Sequence, residues 1–213
     1  MLSRRGHRLS RFRKNKRRLR ERLRQRIFFR DKVVPEAMEK PRVLVLTGAG
    51  ISAESGIRTF RAADGLWEEH RVEDVATPEG FDRDPELVQT FYNARRRQLQ
   101  QPEIQPNAAH LALAKLQDAL GDRFLLVTQN IDNLHQMAGS KKVLELHGSV
   151  YRNYCMKCHR FYDFAHMKAS TGVPRCECGG IIKPDVVLYE EGLDNQTINE
   201  AVKAISEAQV LII

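Results

Sequence analysis

Short apolar segments typical of buried strands alternate along the chain with segments of helical periodicity, and this alternation constrains the fold more than any other feature. Residues 42–47 and 123–128 are apolar, β-branched and of the length of buried strands. Helical patterns at 85–101 and 107–120 lie between them, with Asp84 as the expected N-cap of the first. Strands joined through helices form parallel sheets that are covered on both faces. The other predicted elements are strands at 143–146, 185–189 and 210–213, and a helix at 195–208.

Composition limits the class of protein. The 213 residues suffice for one core of ordinary size, and 42% apolar with 29% charged residues are typical of a soluble globular chain. No apolar run approaches the roughly 18 residues of a membrane-spanning helix, and no apolar segment follows the basic start as in a secretory signal. All four cysteines lie between 155 and 178, which favours a metal site in a reducing compartment over a disulfide framework. We therefore expect a cytoplasmic protein without a membrane span.

Positive charge is concentrated at the N-terminus. Residues 1–32 contain 15 Lys and Arg against two acidic residues, a net charge of +13, whereas the rest contains 20 basic and 25 acidic residues, a net charge of −5. We therefore divide the chain into a basic extension, 1–38, and a body, 39–213. The extension suits weak binding to nucleic acid or to an anionic surface, because a polybasic segment gains affinity by releasing counterions. A solvated helical or disordered extension and an organellar transit peptide are the alternatives.

A glycine turn follows the first predicted strand. Gly48, Gly50 and Ala53 fit the G-x-G-x-x-G/A spacing of a strand-to-helix turn, where backbone N–H groups approach a pyrophosphate. The acidic residue expected about 20 residues later is missing, and a long polar loop, 55–67, follows instead. The sequence therefore predicts an α/β fold with a Rossmann-like parallel sheet that binds a nucleotide at this turn. A plain tight turn is the alternative.

Polar side chains follow two further predicted strands. Gln129, Asn130 and Asp132 come after the strand at 123–128, and His147 comes after the strand at 143–146. Ligands of open parallel sheets bind beyond the carboxyl ends of the strands. Amide and carboxylate groups there can bind ribose hydroxyls and a carboxamide, and a histidine can act as a general base near neutral pH. The alternatives are a helix cap at 132–133 and a purely structural histidine.

The cysteines form two close pairs. Cys155 and Cys158 form a CxxC knuckle, and after 17 residues Cys176 and Cys178 form a CxC pair. Four thiolates in two close pairs suit a tetrahedral structural zinc, with no position left open for catalysis. His159 could replace one ligand, and unligated buried thiols are the other alternative. The sequence thus predicts a small zinc-binding module, about 149–184, inserted into the sheet domain.

Together these motifs resemble one family, the sirtuins, which are NAD-dependent protein-lysine deacylases. Residues 1–135 resemble enterobacterial members, whereas the remainder resembles members from Gram-positive bacteria. The resemblance covers about residues 40–213. It rests on 48–52 (GAGIS), 56–61 (GIRTFR), 128–132 (TQNID), 146–148 (LHG) and the four cysteines.

The resemblance implies roles for the matched residues. His147 would be the catalytic general base, and Asn130 would position the nicotinamide ribose and a water. NAD would be the co-substrate and zinc a structural ion. The residues that would bind NAD are Gly48, Ala49, Gly50, Ser52, Arg58, Thr59, Phe60, Trp67, Gln129, Asn130, Ile131 and Asp132.

Four residues would bind the acylated-lysine protein. Val186 and Val187 would pair with its backbone as an added strand. Tyr92 and Arg95 lie three apart on a predicted helix, hence on one face, where they could clamp a carboxylate. In the desuccinylase branch of the family, a Tyr and an Arg at this spacing recognise succinyl, malonyl and glutaryl lysine. A solvated helix face is the alternative, since Arg96 and Arg97 adjoin the pair.

The implied reaction transfers the acyl group to the ADP-ribose half of NAD. The acyl oxygen attacks C1′ of the nicotinamide ribose, nicotinamide leaves, and His147 helps a ribose hydroxyl to attack the resulting imidate. The products are free lysine, nicotinamide and O-acyl-ADP-ribose. Family members continue beyond a position equivalent to Ile213 with further strands, so we expect a truncated, weakly active form whose C-terminal strands are missing.

Other function classes fit parts of the sequence. A non-catalytic binding module, built from the zinc site and the basic extension, would explain the cysteines and the charge but not 129–132. A mono-ADP-ribosyltransferase could use the same scaffold. We expect a monomer that acts on acylated-lysine proteins.

Overall fold

The computed structural model describes residues 40–58, 70–163 and 172–213, together with the backbone of Leu66 and Trp67. The basic extension at 1–38, the predicted NAD-binding residues Thr59 and Phe60, and the side chain of Trp67 lie outside the described residues. Nothing in the described part of the chain is a helix long and apolar enough to cross a membrane.

Nine strands and six α-helices make up the described fold. The strands are β1 (Val43–Thr47), β2 (Leu66–Trp67), β3 (His70–Arg71), β4 (Phe124–Thr128), β5 (Val143–Glu145), β6 (Gly148–Cys155), β7 (Phe161–Asp163), β8 (Ile182–Val186) and β9 (Val210–Ile212). The α-helices are α1 (Val72–Val75), α2 (Pro78–Arg83), α3 (Pro85–Leu99), α4 (Ala108–Leu120), α5 (Leu134–Met137) and α6 (Asn195–Glu207). Short 3₁₀ helices span Ala49–Ser55 and Gly121–Arg123.

The main sheet is parallel and has the order β5-β4-β1-β9. Its central strand β1 pairs in register with β4, from Val43 opposite Phe124 to Thr47 opposite Thr128. One face packs its buried side chains against apolar residues of α4. The other face packs against alanines of α6. The predicted α/β fold with helices on both faces is therefore confirmed.

Side chains cap two of the helix starts, and the cap at Asp84 is the one that the sequence predicts. Asp84 accepts a hydrogen bond from the backbone N–H of Leu87 at 2.9 Å, and Pro85 occupies the first turn of α3. Asn107 caps α4, and His110 completes a capping box by accepting from the Asn107 N–H. These side chains satisfy N–H groups that have no partner within the helix, so the helices begin where the sequence predicts.

A second, antiparallel sheet has the order β7-β6-β8. The apolar run at 185–189, which we expected as a strand of the parallel sheet, lies at and beyond the end of β8, where Gly148 of β6 stands opposite Val186. That expectation was wrong because a short apolar run does not reveal which sheet it joins. Arg152 of β6 binds Glu145 at 2.7 Å and Asp185 at 2.8 Å, and so ties the end of β5 to the second sheet.

The largest apolar cluster lies where α1, α2 and α3 pack against β6 and the segment after β8. Arg96 of α3 is fully buried beside it and donates to the backbone carbonyl of Val150 and to the side-chain carbonyls of Asn93 and Asn153. The face of α3 that carries Tyr92 and Arg96 is therefore buried, whereas Arg95 is half-buried.

Candidate active site

A cavity of about 510 Å³ opens beyond the carboxyl ends of β1, β4 and β5. Its walls come from three directions: the turn after β1, helix α3, and the segment that follows β8. The strands end together because they are parallel, so the polar residues that follow them meet at one edge of the sheet. The predicted residues among its lining are Ala49, Ser52, Arg58, Tyr92, Arg95, Gln129, Asn130, Ile131, Asp132, His147, Val186 and Val187.

The floor of the cavity is a connected polar group. The Ser52 hydroxyl donates to Asp132 Oδ2 at 2.6 Å. The Asn130 amide donates from Nδ2 to Ser52 Oγ at 3.0 Å and to the Gly48 carbonyl at 3.1 Å. Asp132 also accepts from the N–H of Leu134 at 3.0 Å, so its carboxylate holds the start of α5. With its Nδ2 donor engaged in these bonds, Asn130 is fixed in orientation beside the cavity.

The ring of His147 is held in one tautomer by the backbone. Its Nδ1 lies 2.8 Å from the carbonyl oxygen of Gln129. A carbonyl can only accept, so Nδ1 carries the proton and Nε2 of the neutral ring is free to take one. The next residue is Gly148, with φ of 74°, where an added Cβ would lie 2.1 Å from the Asp185 carbonyl oxygen. Only glycine fits there, and this lets β6 start immediately after the histidine.

Tyr92 and Arg95 of α3 line the wall opposite the turn. Tyr92 is buried, and burial, reinforced by the nearby carboxylate of Glu191, raises the pKa of its hydroxyl. The Arg95 guanidinium lies over the Phe91 ring, 5.4 Å from the centroid. The wall therefore offers a protonated hydroxyl and a cation three residues apart on one face of a helix.

The wall formed by the segment after β8 is held by an ion pair that the sequence did not predict. Lys183 is only 2% exposed, and its Nζ donates to Glu191 at 3.0 Å and to the Val186 carbonyl at 3.1 Å. Glu191 accepts in turn from the N–H of Leu188 at 2.7 Å. The pair thus closes the segment 186–191 into a loop, and its eight-residue spacing gives no helical or strand signal. The N–H of Val187 donates to the carbonyl of His147 at 3.1 Å, which joins this wall to the histidine.

Two predicted residues belong to the turn without lining the cavity. Gly48 precedes a 3₁₀ helix rather than the expected α-helix, and its carbonyl accepts from Asn130. A Cβ at Gly50 would meet nothing within 4 Å, and a Cβ at Gly48 would lie 4.0 Å from Gln129 Oε1. No packing within the described chain demands glycine at either position. The open space beside the backbone suits the close approach of a ligand.

The four cysteines form one cluster in the second sheet. Their sulfurs all lie within 4.8 Å of one another, with 3.5 Å for Cys155 to Cys178 and 3.5 Å for Cys158 to Cys176. A tetrahedral zinc with Zn–S bonds of about 2.3 Å holds its sulfurs about 3.8 Å apart, so the cluster fits zinc. A hydrogen bond from the Tyr162 hydroxyl, with help from the backbone N–H of Cys178, lowers the pKa of Cys176 to about 6, which favours the thiolate form that metals bind.

Comparison with known proteins agrees with this geometry. Residues 48–213 match the model of the Sir2 family. The chain is 72% identical over 218 residues to an NAD-dependent protein deacylase of Shigella flexneri, with 100% of this chain and 77% of that protein covered. A protein of the same name from Salmonella typhimurium is 65% identical over 216 residues, again with 100% of this chain and 77% of that protein covered. The similarity to these enterobacterial proteins therefore covers the whole chain and does not stop near residue 135, where we expected a change to a Gram-positive type.

Solved structures lead to the same family. A Sir2 homolog in complex with NAD superposes with a TM-score of 0.70 and 39% identity, covering 81% of this chain and 67% of that one. A structure from work on Sir2 enzyme mechanism and regulation gives a TM-score of 0.64 with 41% identity, covering 79% of this chain and 68% of that one. The matched family model, the relatives and the shared fold together show that the chain belongs to the Sir2 family.

Proposed function

We propose that the chain is an NAD-dependent protein-lysine deacylase that removes acetyl groups and short acidic acyl groups. The observation that carries the proposal is that His147 and Asn130 line the same cavity. Among the described residues the histidine Nε2 has no hydrogen-bond partner, and the Asn130 amide is held by Ser52 and the Gly48 carbonyl. The printed name of the relatives, NAD-dependent protein deacylase, supports the same activity.

NAD would bind across the floor of the cavity. The turn at 48–52 would receive the phosphates, and Arg58 would face them from the cavity wall. Asn130 would hold the nicotinamide ribose and a water, and Asp132 with Ile131 would line the carboxamide pocket. Each of these residues borders or supports the same floor. Thr59, Phe60 and Trp67 would complete the cover over the nicotinamide.

His147 would act after nicotinamide has left. Its Nδ1–H is bound to the Gln129 carbonyl, so its Nε2 would take the proton from a ribose hydroxyl as that oxygen attacks the acyl carbon. The Gln129 carbonyl would stabilise the imidazolium that forms. The lysine amine would then leave the acyl carbon and a water oxygen would replace it, so one water would be consumed and free lysine, nicotinamide and O-acyl-ADP-ribose would be the products.

The protein substrate would bind along the segment after β8. Among the described strands, β8 lies at the edge of the second sheet and pairs only with β6, so a peptide can add to it as a further strand. Val186 and Val187 line the cavity at the end of β8, where an added strand would direct an acyl-lysine side chain inward. The zinc cluster would serve this wall by holding β6, β7 and the residues before β8 together.

Tyr92 and Arg95 would give the site its preference for acidic acyl groups. A guanidinium and a buried hydroxyl can both donate to one carboxylate, and charge-assisted hydrogen bonds are the stronger kind. An acetyl group would leave both donors to other partners, so the same pocket would accept it with less binding energy.

The test is a mass-spectrometric deacylation assay with acetyl- and succinyl-lysine peptides, with and without NAD. We expect NAD-dependent loss of both acyl groups, and no loss with His147→Ala. Arg95→Met should lower kcat/KM for the succinyl peptide on the order of 10- to 100-fold, since a hydrogen bond to a charged group contributes about 1.5–3 kcal/mol. The acetyl peptide should change little.

Arg97→Met is the matched control, because Arg97 lies on the same helix and is exposed. An equal loss for both peptides in Arg95→Met would contradict the clamp. Radiolabel from the ADP-ribose half of NAD that stays on protein would indicate ADP-ribosyl transfer instead.

The basic extension would bind weakly to nucleic acid or to an anionic surface. This rests on its net charge alone. Binding of a DNA duplex should fall steeply with salt and vanish when residues 1–37 are removed, whereas deacylation of a short peptide should persist. Salt-independent binding, or binding without the extension, would contradict this role.

A further inference from the structure

Two histidines lie buried behind the cavity floor and do not line the cavity. His110 of α4 is 0% exposed and His135 of α5 is 1% exposed. Their ring centroids are 4.8 Å apart, with the planes tilted by 59°. His110 Nε2 and His135 Nδ1 are buried and have no hydrogen-bond partner among the described residues. A buried polar atom without a partner is costly, so this pair calls for an explanation.

The tautomer of His110 follows from the helix cap. Its Nδ1 accepts the backbone N–H of Asn107 at 3.3 Å. A backbone N–H can only donate, so Nδ1 is bare and the proton of the neutral ring is on Nε2. The Nε2–H is the buried donor.

The tautomer of His135 follows from two threonine hydroxyls. The Thr47 hydroxyl donates its one proton to Thr128 Oγ1 at 2.8 Å, and it also lies 2.9 Å from His135 Nε2. With that proton used, Thr47 can only accept from the ring. His135 therefore carries its proton on Nε2, and its Nδ1 is a bare acceptor. One ring has an unused donor and its neighbour an unused acceptor.

Both rings connect to the residues that hold the cavity floor. From His135 the chain of contacts runs through Thr47 to Thr128, whose hydroxyl oxygen accepts the backbone N–H of Asn130 at 3.1 Å. From His110 it runs through Asn107, whose amide donates to the carbonyl of Ile51 at 2.7 Å and to Ser55 at 3.0 Å. These last two residues belong to the same 3₁₀ helix as Ser52.

Both rings are neutral in this environment. Burial lowers the pKa of His135 to about 4, with a smaller contribution from His110, and burial also lowers the pKa of His110. The charged group that acts on both rings is Asp132, which opposes the shift. Neutral rings can keep distinct donor and acceptor nitrogens, whereas an imidazolium has donors only.

We propose that His135 and His110 act as a pair of positioning residues, which set Asn130 and the turn at 49–55 at a fixed separation for cleavage of nicotinamide from NAD. This rests on the proposed function. The pair touches neither substrate, so its effect passes through Thr128 on one side and Asn107 on the other. A misplacement of about 1 Å at a reacting group can cost on the order of 100-fold in rate. A histidine that contacts Asn130 only through Thr47 and Thr128 can therefore still affect the rate.

The tautomers are tested on the folded chain without any activity assay. Histidine-selective ¹⁵N labelling distinguishes protonated from bare ring nitrogens by NMR. We expect the proton on Nε2 in both His110 and His135, no titration of His135 between pH 7 and pH 5.5, and a pKa of His110 below its ordinary value. A proton on Nδ1 of either ring, or titration near the ordinary pKa of about 6.5, would overturn the pair.

The catalytic consequence is tested by separating rate from binding. His135→Phe keeps a ring of similar size but removes the donor to Thr47. We expect it to lower kcat for nicotinamide release at least about 10-fold, with the KM of the acyl peptide within about twofold. His135→Gln, which restores a neutral donor, should recover most of the rate.

Leu116→Ala is the matched control for stability. Leu116 is on the same helix as His110 and packs into the core between α4 and the main sheet, away from the polar chain of contacts. It should lower stability without lowering kcat at temperatures where the chain stays folded. Equal kcat losses in Leu116→Ala and His135→Phe, or no recovery in His135→Gln, would overturn the positioning role.

Failure of the proposed function would look different. A wild-type chain with the expected tautomers that releases no nicotinamide would overturn the deacylase proposal, and the catalytic consequence of the pair with it. An active wild type whose His135→Phe variant is as fast would overturn the pair alone.

Discussion

At the scale of single residues, the histidines of the chain divide by what surrounds their rings. His147 is partly exposed and bound to one backbone carbonyl, whereas His135 is buried against a threonine and a second imidazole. The Nδ1–H of the first is bound to a carbonyl and leaves Nε2 as the acceptor, whereas the second is held neutral by desolvation. We therefore propose proton transfer for the first histidine and a fixed donor role for the second.

The buried histidine makes stability depend on pH. The pKa of His135 is about 4 in the folded chain and about 6.5 when unfolded. Between these values the unfolded chain binds more protons, so stability falls as pH decreases from 6.5 toward 4. We expect the free energy of unfolding to fall by about 2 kcal/mol between pH 7 and pH 5 from this residue. Urea denaturation at the two pH values measures it. His135→Gln should show a smaller decrease, and an identical decrease would contradict the assignment.

At the scale of elements, sequence periodicity predicts the main sheet and its helices but not the second sheet. Strands β1 and β4 and helices α3, α4 and α6 lie within two residues of their predicted ends, because buried apolar runs and capping side chains are local signals. The prediction that 185–189 forms a strand of the main sheet was wrong because the partner of a strand depends on contacts distant in sequence. Strand β6, which carries the start of the zinc module, pairs through Cys155 with Ile182, and no local pattern reveals that register.

The residues of the candidate site likewise divide into those that local sequence signals predict and those that depend on distant contacts. Gln129, Asn130, Asp132 and His147 were predictable because they follow strands of one parallel sheet, whose ends must meet. Lys183 and Glu191 were not, because a buried ion pair has no sequence period and each residue alone predicts a solvated surface.

One glycine decides how the two sheets join. Gly148 has φ of 74°, and a Cβ there would lie 2.1 Å from the Asp185 carbonyl oxygen. Gly148→Ala must therefore push β6 away from β8 and move His147 with it. We expect a loss of at least about 2 kcal/mol of stability and a fall in kcat, measured by thermal unfolding and by the deacylation assay.

Gly139→Ala is the control for the cost of a positive φ without any steric contact of the added Cβ. Gly139 has φ of 100°, but a Cβ there would meet nothing within 4 Å. It should lose about 1 kcal/mol and keep its activity. Comparable losses in both variants would mean that the close approach at Gly148 is relieved by a small backbone shift.

At the scale of the whole molecule, the cysteine cluster and His147, which we propose as the general base, lie at opposite ends of strand β6. Cys155 ends β6 and Gly148 begins it directly after His147. Because a structural metal contributes folding energy outright, its loss should loosen β6 and β8 together, while the floor on the main sheet keeps its own hydrogen bonds.

Metal removal should therefore affect the two substrates unequally. After chelation we expect faster amide hydrogen exchange across the described parts of 149–184, a marked rise in the KM of the peptide, and a smaller change in affinity for NAD. Added zinc should reverse these effects. Cys158→Ser should mimic chelation, whereas His159→Ala should not. Loss of NAD affinity equal to the loss for peptide would show that the module supports the floor as well.

The hydrogen bond from the Val187 N–H to the His147 carbonyl fixes the distance between the wall at the end of β8 and His147. A peptide added beside β8 would lie one strand spacing away, about 4.8 Å, so the span from its backbone to the His147 ring would be set by sheet geometry. Side-chain length would then decide whether the acyl oxygen reaches the reacting carbon of NAD. Ornithine is one methylene shorter than lysine and would fall short by about 1 Å or more, a displacement that can cost on the order of 100-fold in rate. An acetyl-ornithine peptide should therefore bind about as well as its lysine counterpart but react far more slowly, and equal turnover would mean that the backbone is not held along this wall.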